Sequence, residues 1–166
     1  MIVGLAPGLR GANRTGRPFT GDWAGDLLYQ TLVKFGFAKG QYGQSSDDGL
    51  ELIDAIIVNA VRCVPPENKP VGAEINACRP FLTATVKDCT DVKCVVALGG
   101  IAHNSFLTVF GVKKKDHPFG HGNEHALPNG ATLVDSYHCS RYNTNTGRLT
   151  EEMFESIFER AREIIG

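Results

Sequence analysis

The sequence lacks the features that mark several large classes of protein. Neither charge is in excess, since 17 lysines and arginines face 18 aspartates and glutamates. A global positive field for nucleic acid is therefore excluded, although local clusters of arginine are not. No apolar run approaches the length that spans a bilayer, and residues 1–8 are too short for a signal peptide. We expect a cytoplasmic protein with no membrane partner.

Cysteine usage and chain length narrow the class further. Five cysteines are an odd set, which argues against a disulfide framework and leaves metal or cluster ligation and plain burial. The 166 residues, 42% of them hydrophobic, suffice for one sizeable core. We therefore expect residues 1–166 to form a single domain.

Four apolar runs predict the strands of a sheet. They are nearly continuous in aliphatic residues, as expected for strands covered on both faces, and lie at 1–6, 55–64, 94–100 and 131–140. Apolar residues recur at helical spacing at 27–35, 73–87, 101–110 and, behind a Thr150 cap, 153–165. The alternation predicts an α/β fold, a three-layer α/β/α sandwich with a central, about four-stranded parallel twisted sheet. Polar stretches 39–49 and 113–125 are predicted as surface loops.

Polar, glycine-rich segments follow the predicted strands. In chain order they are "GLAPGLRGANRTGRPFTGD" (4–22), "NAVRCVPPENKP" (59–70), "ALGGIAHN" (97–104) and "HCSRYNTNTGRLT" (138–150). Because the carboxyl ends of parallel strands meet at one edge of a sheet, these segments should converge there. Such convergence of glycines with Asp, Asn and His side chains predicts an active site.

Three of these segments resemble a known family. In this order and at these separations, residues 4–22, 59–70 and 138–150 are similar to the signature segments of the type B (family 5) uracil-DNA glycosylases, and the likeness spans nearly the whole chain. The resemblance implies a monomeric, monofunctional glycosylase that flips deaminated bases out of double-stranded DNA and hydrolyses their N-glycosidic bond, which starts base-excision repair.

The first segment supplies most of the predicted base pocket. Gly4, Pro7 and Gly8 predict a tight turn that brings backbone N–H groups close to the sugar and base. Phe19, by resemblance, stacks on the flipped base, and the alternative is an ordinary core phenylalanine. The predicted base-binding residues are Gly4, Leu5, Ala6, Pro7, Phe19 and Asn59.

Asp22, Asn59 and His138 are the predicted catalytic residues. Asp22 either positions the attacking water or caps the helix that follows, and the two roles can coexist. Asn59 interrupts an apolar run, so it points into the site or pairs with backbone at a bulge. Its carboxamide matches the O4 and N3–H edge of uracil and mismatches the amine of cytosine. By resemblance, His138 donates to O2 of the departing base, either from a fixed tautomer or as a protonated ring.

Other branches of the superfamily carry a polar catalytic residue directly after the first glycine, where this chain has Leu5 and Ala6. The departure is typical of type B enzymes and leaves the group that activates the water open. The rate must then depend mainly on ejection of the base, which favours good leaving groups over a strict uracil shape. Hypoxanthine is therefore expected as a substrate beside uracil.

Basic and polar residues of the convergent segments are the predicted DNA contacts. They are Arg17, Arg62, Ser140, Arg141, Tyr142 and Asn143. Arg141 or Tyr142 would enter the duplex where the base left, and the others would contact phosphate or sugar. The alternative is ordinary surface charge, which would not sort by strand end.

The resemblance also implies a four-iron four-sulfur (4Fe-4S) cluster held by four cysteines. Cys78 and Cys94 are predicted as one ligand pair, with Cys89 competing for the second place, and Cys63 and Cys139 as small buried residues. The other pair, an N-terminal Cys-x-x-Cys, does not occur in the sequence, and two thiolates do not hold a cluster securely. We expect an N-terminal segment outside this sequence, because the family that the chain resembles begins well before this strand; the alternative is a protein that has dispensed with the cluster.

His117, His121 and His125 are spaced by four, as on one face of a zinc-binding helix. Pro118 and Gly120 forbid that helix, so the three are predicted as polar loop histidines without zinc.

Two further functions remain open at this point. A glycine-rich turn after a strand also describes phosphate-binding modules, but "GLAPG" lacks the lysine and serine of a P-loop and the third glycine of the dinucleotide motif. A non-catalytic DNA-damage or abasic-site binding protein of the same fold is the second alternative.

Overall fold

All four apolar runs form strands in the computed structural model, which describes residues 1–166. In chain order the strands are β1 (Ile2–Gly4), β2 (Ala38–Lys39), β3 (Glu51–Leu52), β4 (Ile57–Asn59), β5 (Cys94–Leu98), β6 (Glu124–Ala126) and β7 (Thr132–Ser136). β1 pairs in parallel with β4 and β5, and β5 pairs in parallel with β7. The predicted parallel sheet is confirmed.

The sheet has one strand more than predicted. Its order is β4-β1-β5-β7-β6, and β6 joins the edge antiparallel to β7. The stretch 113–125 is therefore not all loop, because its last two residues, Glu124 and His125, begin β6. A separate antiparallel pair, β2 and β3, flanks the predicted loop 39–49. β2, β3 and β6 are short and lie outside the four apolar runs, so the sequence does not reveal them.

Six α-helices surround the sheet: α1 (Ala12–Thr15), α2 (Trp23–Lys34), α3 (Gly72–Asp88), α4 (Gly100–Val109), α5 (Arg141–Asn145) and α6 (Glu151–Ile165). The four long helices were predicted, and Thr150 caps α6 by accepting the Met153 N–H at 3.2 Å. The short α1 and α5 lack a full helical period. None of the helices is long and apolar enough to cross a bilayer.

The sheet divides the core into two layers, as predicted for the sandwich. On one face, Val96 and Leu98 of β5 pack with Leu28 of α2 and Phe158 of α6. On the other face, Val95 and Ala97 of β5 pack with Ala102 and Phe106 of α4, and Val86 of α3 packs against the same cluster. With both faces covered, only the sheet ends are open. The segments predicted to converge follow the carboxyl ends of β1, β4, β5 and β7.

Candidate active site

The ends of β1 and β4 form the base of a pocket. Gly4 and Asn59 are paired in register at the last position of the two strands. A Cβ atom on Gly4 would overlap Asn59 Oδ1 and would lie 2.7 Å from Cζ of Phe19. Only glycine therefore lets these two side chains approach the strand end.

Asn59 lines the pocket beside Gly4. Its Oδ1 atom is buried and has no hydrogen-bond partner in the protein. A buried carbonyl oxygen without a partner costs about 1–3 kcal/mol, so folded proteins rarely keep one without a use. The alternative that Asn59 pairs through Oδ1 with backbone at a strand bulge does not fit this structure.

Phe19 and His138 close the pocket on two sides. The ring of Phe19 is 8% exposed, and its centroid lies 6.0 Å from that of His138 at an interplanar angle of 33°. Phe19 has a left-handed backbone with φ of +53°. Tyr42 Oη donates to its carbonyl at 3.1 Å, and Tyr29 Oη donates to the preceding Pro18 carbonyl at 2.6 Å. These bonds hold the ring at the pocket wall.

His138 follows β7 and is neutral near pH 7. Burial lowers the pKa of its imidazole to about 4, because enclosing walls disfavour the charged ring. Asn143 donates from Nδ2 to the His138 carbonyl at 2.9 Å and fixes the backbone at this position. Asn143, predicted as a phosphate or sugar contact, is half-buried and in the free protein uses its amide to hold the His138 backbone.

Asp22 caps α2 with one carboxylate oxygen and turns the other towards the glycine-rich turn. Oδ1 accepts the Gly25 N–H at 3.2 Å and caps α2. A Cβ on Gly8 would lie 3.2 Å from the second oxygen, Oδ2, and one on Gly11 would overlap it, so Oδ2 faces the turn that lines the pocket. Burial raises the pKa of Asp22. The helix cap thus leaves one carboxylate oxygen beside the predicted sugar site.

The pocket has a volume of about 700 Å³, and its lining includes Leu5, Ala6, Pro7, Phe19, Asn59 and His138. All predicted base-binding residues are therefore at one place, with Gly4 beneath Asn59. Leu9, Arg10, Trp23 and Asn68 also line it and are not among the site residues predicted from the sequence. Nothing in the local pattern at these positions indicates which way a loop side chain turns.

The outer opening carries part of the predicted DNA contacts. Ser140 and Arg141 line the pocket, and Tyr142 is 72% exposed beside them. Ser140 Oγ also caps α5 by accepting the Asn143 N–H at 3.3 Å. Arg62 lies outside the pocket, with its guanidinium carbon 5.0 Å from the Phe81 ring centroid on α3, where it stays exposed.

Arg17, predicted as a DNA contact, has a structural role in the free protein. Its Nη1 and Nη2 donate to the two carboxylate oxygens of Asp48 at 2.8 and 2.7 Å, and Nε donates to Thr20 Oγ1 at 2.7 Å. The paired guanidinium lowers the pKa of Asp48. With all three nitrogens engaged, Arg17 ties the Phe19 loop to residues 43–50.

The cysteines do not pair as predicted. Cys94 opens β5 and belongs to the core face under α6, while Cys78 is on α3 at the other face. Cys78 Sγ accepts the Arg62 N–H at 3.4 Å, beyond the carboxyl end of β4, whereas Cys94 lies at the amino end of the sheet. Cys63 follows Arg62 and is exposed, not buried as predicted. Cys139 is buried, as predicted.

Cys78 and Cys94 therefore do not fit one metal cluster, because they lie on opposite faces and at opposite ends of the sheet. Cys78 contacts the backbone of Arg62, and the next residue in the chain is Cys63, not Cys94 or Cys89. This pair supplies at most two of the four thiolates that a 4Fe-4S cluster needs. No step of the chemistry below involves a cluster.

Of the histidines spaced by four, His117 and His125 lie together, with ring centroids 5.5 Å apart. The prediction of polar loop histidines is wrong for His125, which belongs to a strand. His121 Nδ1 accepts the Tyr137 N–H at 3.1 Å. His125 is buried on β6, and its Nε2 lies 3.0 Å from Asp135 Oδ2. His103 Nδ1 lies 2.6 Å from Asp135 Oδ1, and its Nε2 lies 2.9 Å from the His117 carbonyl. Three buried groups, His103, His125 and Asp135, thus form a network that the sequence does not indicate, with hydrogen-bond distances between them.

The chain is similar in sequence to uracil-DNA glycosylases. The profile of the uracil DNA glycosylase superfamily matches residues 1–162. A Type-5 uracil-DNA glycosylase of Thermus thermophilus is 45% identical over 166 residues, all of this chain and 75% of that protein. A Type-5 uracil-DNA glycosylase of Mycobacterium bovis is 42% identical over 168 residues, and the chain spans 63% of its length. One from Pyrobaculum aerophilum is 39% identical over 97% of this chain and 70% of its own length.

Proposed function

We propose that this chain, which belongs to the uracil DNA glycosylase superfamily, hydrolyses the N-glycosidic bond between uracil and deoxyribose in DNA. The observation that carries the proposal is the buried, unpartnered Oδ1 of Asn59 at the base of the pocket. A ligand with a donor at this point repays the cost of that lone acceptor, and the N3–H of uracil is such a donor. The chain is thus an enzyme of the class that hydrolyses N-glycosyl bonds.

Asn59 gives the pocket its preference for uracil. Oδ1 accepts from N3–H while Nδ2 donates to O4, so both polar atoms of the carboxamide are used. Cytosine presents an amine in place of O4 and an acceptor in place of N3–H, which sets donor against donor. Such a mismatch costs about 1–3 kcal/mol. Phe19, beside Asn59, supplies an apolar face on which the flipped base stacks.

His138 assists departure of the base as a neutral donor. The C1′–N1 bond breaks with both electrons going to the base, and negative charge develops on O2. An imidazole N–H aimed at O2 stabilises that charge without the cost of keeping a cation in a pocket that lowers the histidine pKa to about 4. Asn143 keeps the His138 backbone in position for this contact.

Asp22 serves the sugar side of the reaction. As C1′ becomes positive, the carboxylate oxygen that faces Gly8 and Gly11 offsets the charge and orients water. Water oxygen then bonds to C1′, and its proton is released to the departing base or to solvent. Leu5 and Ala6 line the pocket without a titratable group, so base ejection sets the rate. Hypoxanthine, another good leaving group, would be released as well.

Tyr142 is the side chain that enters the duplex in this proposal. It is 72% exposed next to the pocket, whereas Arg141 lies over the Trp23 ring. Filling the space of the flipped nucleotide makes double-stranded DNA the natural substrate, and mispaired bases flip at lower cost. A single copy of the chain contains all the residues involved.

The test is single-turnover release of free base from duplexes that carry uracil, hypoxanthine or cytosine in one flanking sequence. Release of uracil and hypoxanthine, with cytosine untouched, supports the proposal. Release of uracil alone, at a rate unaffected by the opposing base, contradicts the broad specificity and leaves a uracil-specific enzyme. Retention of the duplex without release of any base would identify a DNA-damage binding protein instead.

A further inference from the structure

The only tryptophan of the chain lies at the mouth of the pocket. Trp23 is the first residue of α2 and is 50% exposed. Its orientation is fixed because Nε1–H donates to Thr144 Oγ1 at 3.1 Å. A large, half-exposed indole held in one orientation costs hydration free energy in the free protein, which indicates a partner that covers it.

Arg141 lies over this indole. Its guanidinium carbon is 5.3 Å from the ring centroid, within the range of a cation–π contact. The guanidinium forms no ion pair, in contrast to those of Arg17 and Arg160. Arg10, also exposed, lines the same opening. The mouth of the pocket thus combines an aromatic face with unneutralised positive charge, which is the pattern of surfaces that bind single-stranded nucleic acid.

We propose that Trp23 stacks on the nucleobase next to the flipped nucleotide in the same strand. The proposal rests on the function proposed above. Flipping removes one stacking neighbour from that base, and an indole face replaces it whatever the base is. Arg141 covers the indole in the free protein and moves to the adjacent phosphate when DNA binds. Phe19 and Trp23 thus hold successive bases, one inside the pocket and one at its mouth.

Fluorescence tests the contact directly, because Trp23 is the sole indole. The probe is a duplex with one tetrahydrofuran residue, which stands for the nucleotide whose base has been removed and cannot be processed further. Stacking quenches the Trp23 emission, so titration of the wild-type protein should show a saturable decrease. Emission that is unchanged at saturating duplex overturns the proposal.

Binding of protein variants to modified duplexes, measured in all combinations, assigns the contact to one base. The second duplex lacks the base of the neighbouring nucleotide as well, on the 5′ side in one version and on the 3′ side in another. Trp23→Ala should weaken binding to the singly abasic duplex about tenfold to a hundredfold, and Trp23→Phe much less. For one of the two doubly abasic duplexes the Trp23→Ala effect should shrink to within twofold.

Phe81→Ala is the matched control. Phe81 is 51% exposed with Arg62 over its ring at 5.0 Å, but it lies outside the pocket. Its effect should be the same for all duplexes. If Trp23→Ala weakens binding equally with every duplex, Trp23 is merely structural and the proposal fails. Uracil release by the wild type in the same buffer separates this failure from failure of the proposed function.

Discussion

Two places in the molecule bury polar side chains, and they do so in opposite ways. On β7, both carboxylate oxygens of Asp135 are within hydrogen-bond distance of partners, which are His103, His125 and the Gly120 N–H, the last at 3.2 Å. At the pocket, Asn59 Oδ1 has no partner at all. The chain thus satisfies one buried group completely, on β7, and leaves another, on the border strand β4 of the same sheet, without a hydrogen bond.

The difference separates stability from function. In a network whose members are all hydrogen-bonded, these bonds offset the cost of burying the polar groups in the folded chain. Loss of such a network should therefore lower the free energy of unfolding. A lone acceptor forms no hydrogen bond until a ligand binds, so its removal should slow turnover and leave the free energy of unfolding unchanged. The following predictions test this division, and each pairs a readout of folding with a readout of activity or binding.

Asp135→Ala should have the largest effect, and it should fall on folding. The variant removes the shared acceptor of two buried histidines, so the free energy of unfolding should fall by about 3–5 kcal/mol. Urea denaturation measures the loss, with Asp47→Ala, an exposed aspartate, as control. A loss below about 1 kcal/mol would show that the network is not a source of stability.

Asn59→Ala should do the reverse. Uracil release should slow by about 100-fold or more, the usual cost of removing a positioned polar group. The free energy of unfolding should stay constant or rise slightly, because the lost Oδ1 atom makes no bond in the folded protein. Single-turnover excision and urea denaturation are measured on the same sample. Destabilisation as large as that of Asp135→Ala would contradict the division.

His138 makes a prediction about pH. Its pKa is lowered from 6.5 to about 4 by burial, so between these values the unfolded chain binds a proton that the folded chain does not. The stability due to this residue is therefore present above about pH 6.5 and is lost as pH falls towards 4. When the pH falls from 7.5 to 5, the free energy of unfolding should decrease by about 1–2 kcal/mol more in the wild type than in His138→Gln. Equal losses would show that the ring is not enclosed.

The same residue constrains the pH profile of turnover. Since the neutral ring is the donor, uracil release should not increase when the pH falls from 7.5 to 5.5. An increase that disappears in His138→Gln would identify the imidazolium as the active form and would contradict the mechanism above.

The smallest effects should separate two arginines. Arg17→Ala removes a bidentate ion pair and should lower the free energy of unfolding by about 1 kcal/mol, with the salt dependence of DNA affinity unchanged. Arg141→Ala should leave stability unchanged and reduce the slope of log affinity against log salt by about 0.9. If Arg17→Ala instead reduced the salt slope and Arg141→Ala instead lowered the free energy of unfolding, the structural role of Arg17 and the DNA contact of Arg141 would both be wrong.

Much of the fold follows from the sequence because its signals are local. Nearly continuous apolar runs mark strands covered on both faces, and Thr150 with its following acids marks a helix start. Asn59 was found in the same way, as a polar residue in an apolar strand. The position of polar segments after strands then brought the pocket residues together, because parallel strands have a fixed polarity.

The parts that escaped prediction depend on contacts between distant residues. Arg17 meets Asp48, which is 31 positions away, and nothing near Arg17 announces that partner. Cys78 and Cys94 have a plausible spacing, yet the sheet lies between them, and only packing shows that Cys63 is near Cys78. The same holds for Trp23, whose exposure depends on where α5 lies.

The short border strands have a consequence for the behaviour of concentrated solutions. β4 and β6, the outermost strands, have three residues each, and Glu124 of β6 is paired with Arg160 of α6 at 2.7 Å. Unpaired backbone at a sheet border is a template on which other molecules polymerise, and a border strand of three residues offers few attachment points. The chain can thus place Asn59 on an outer strand, open to a ligand, without making that strand a starting point for aggregation.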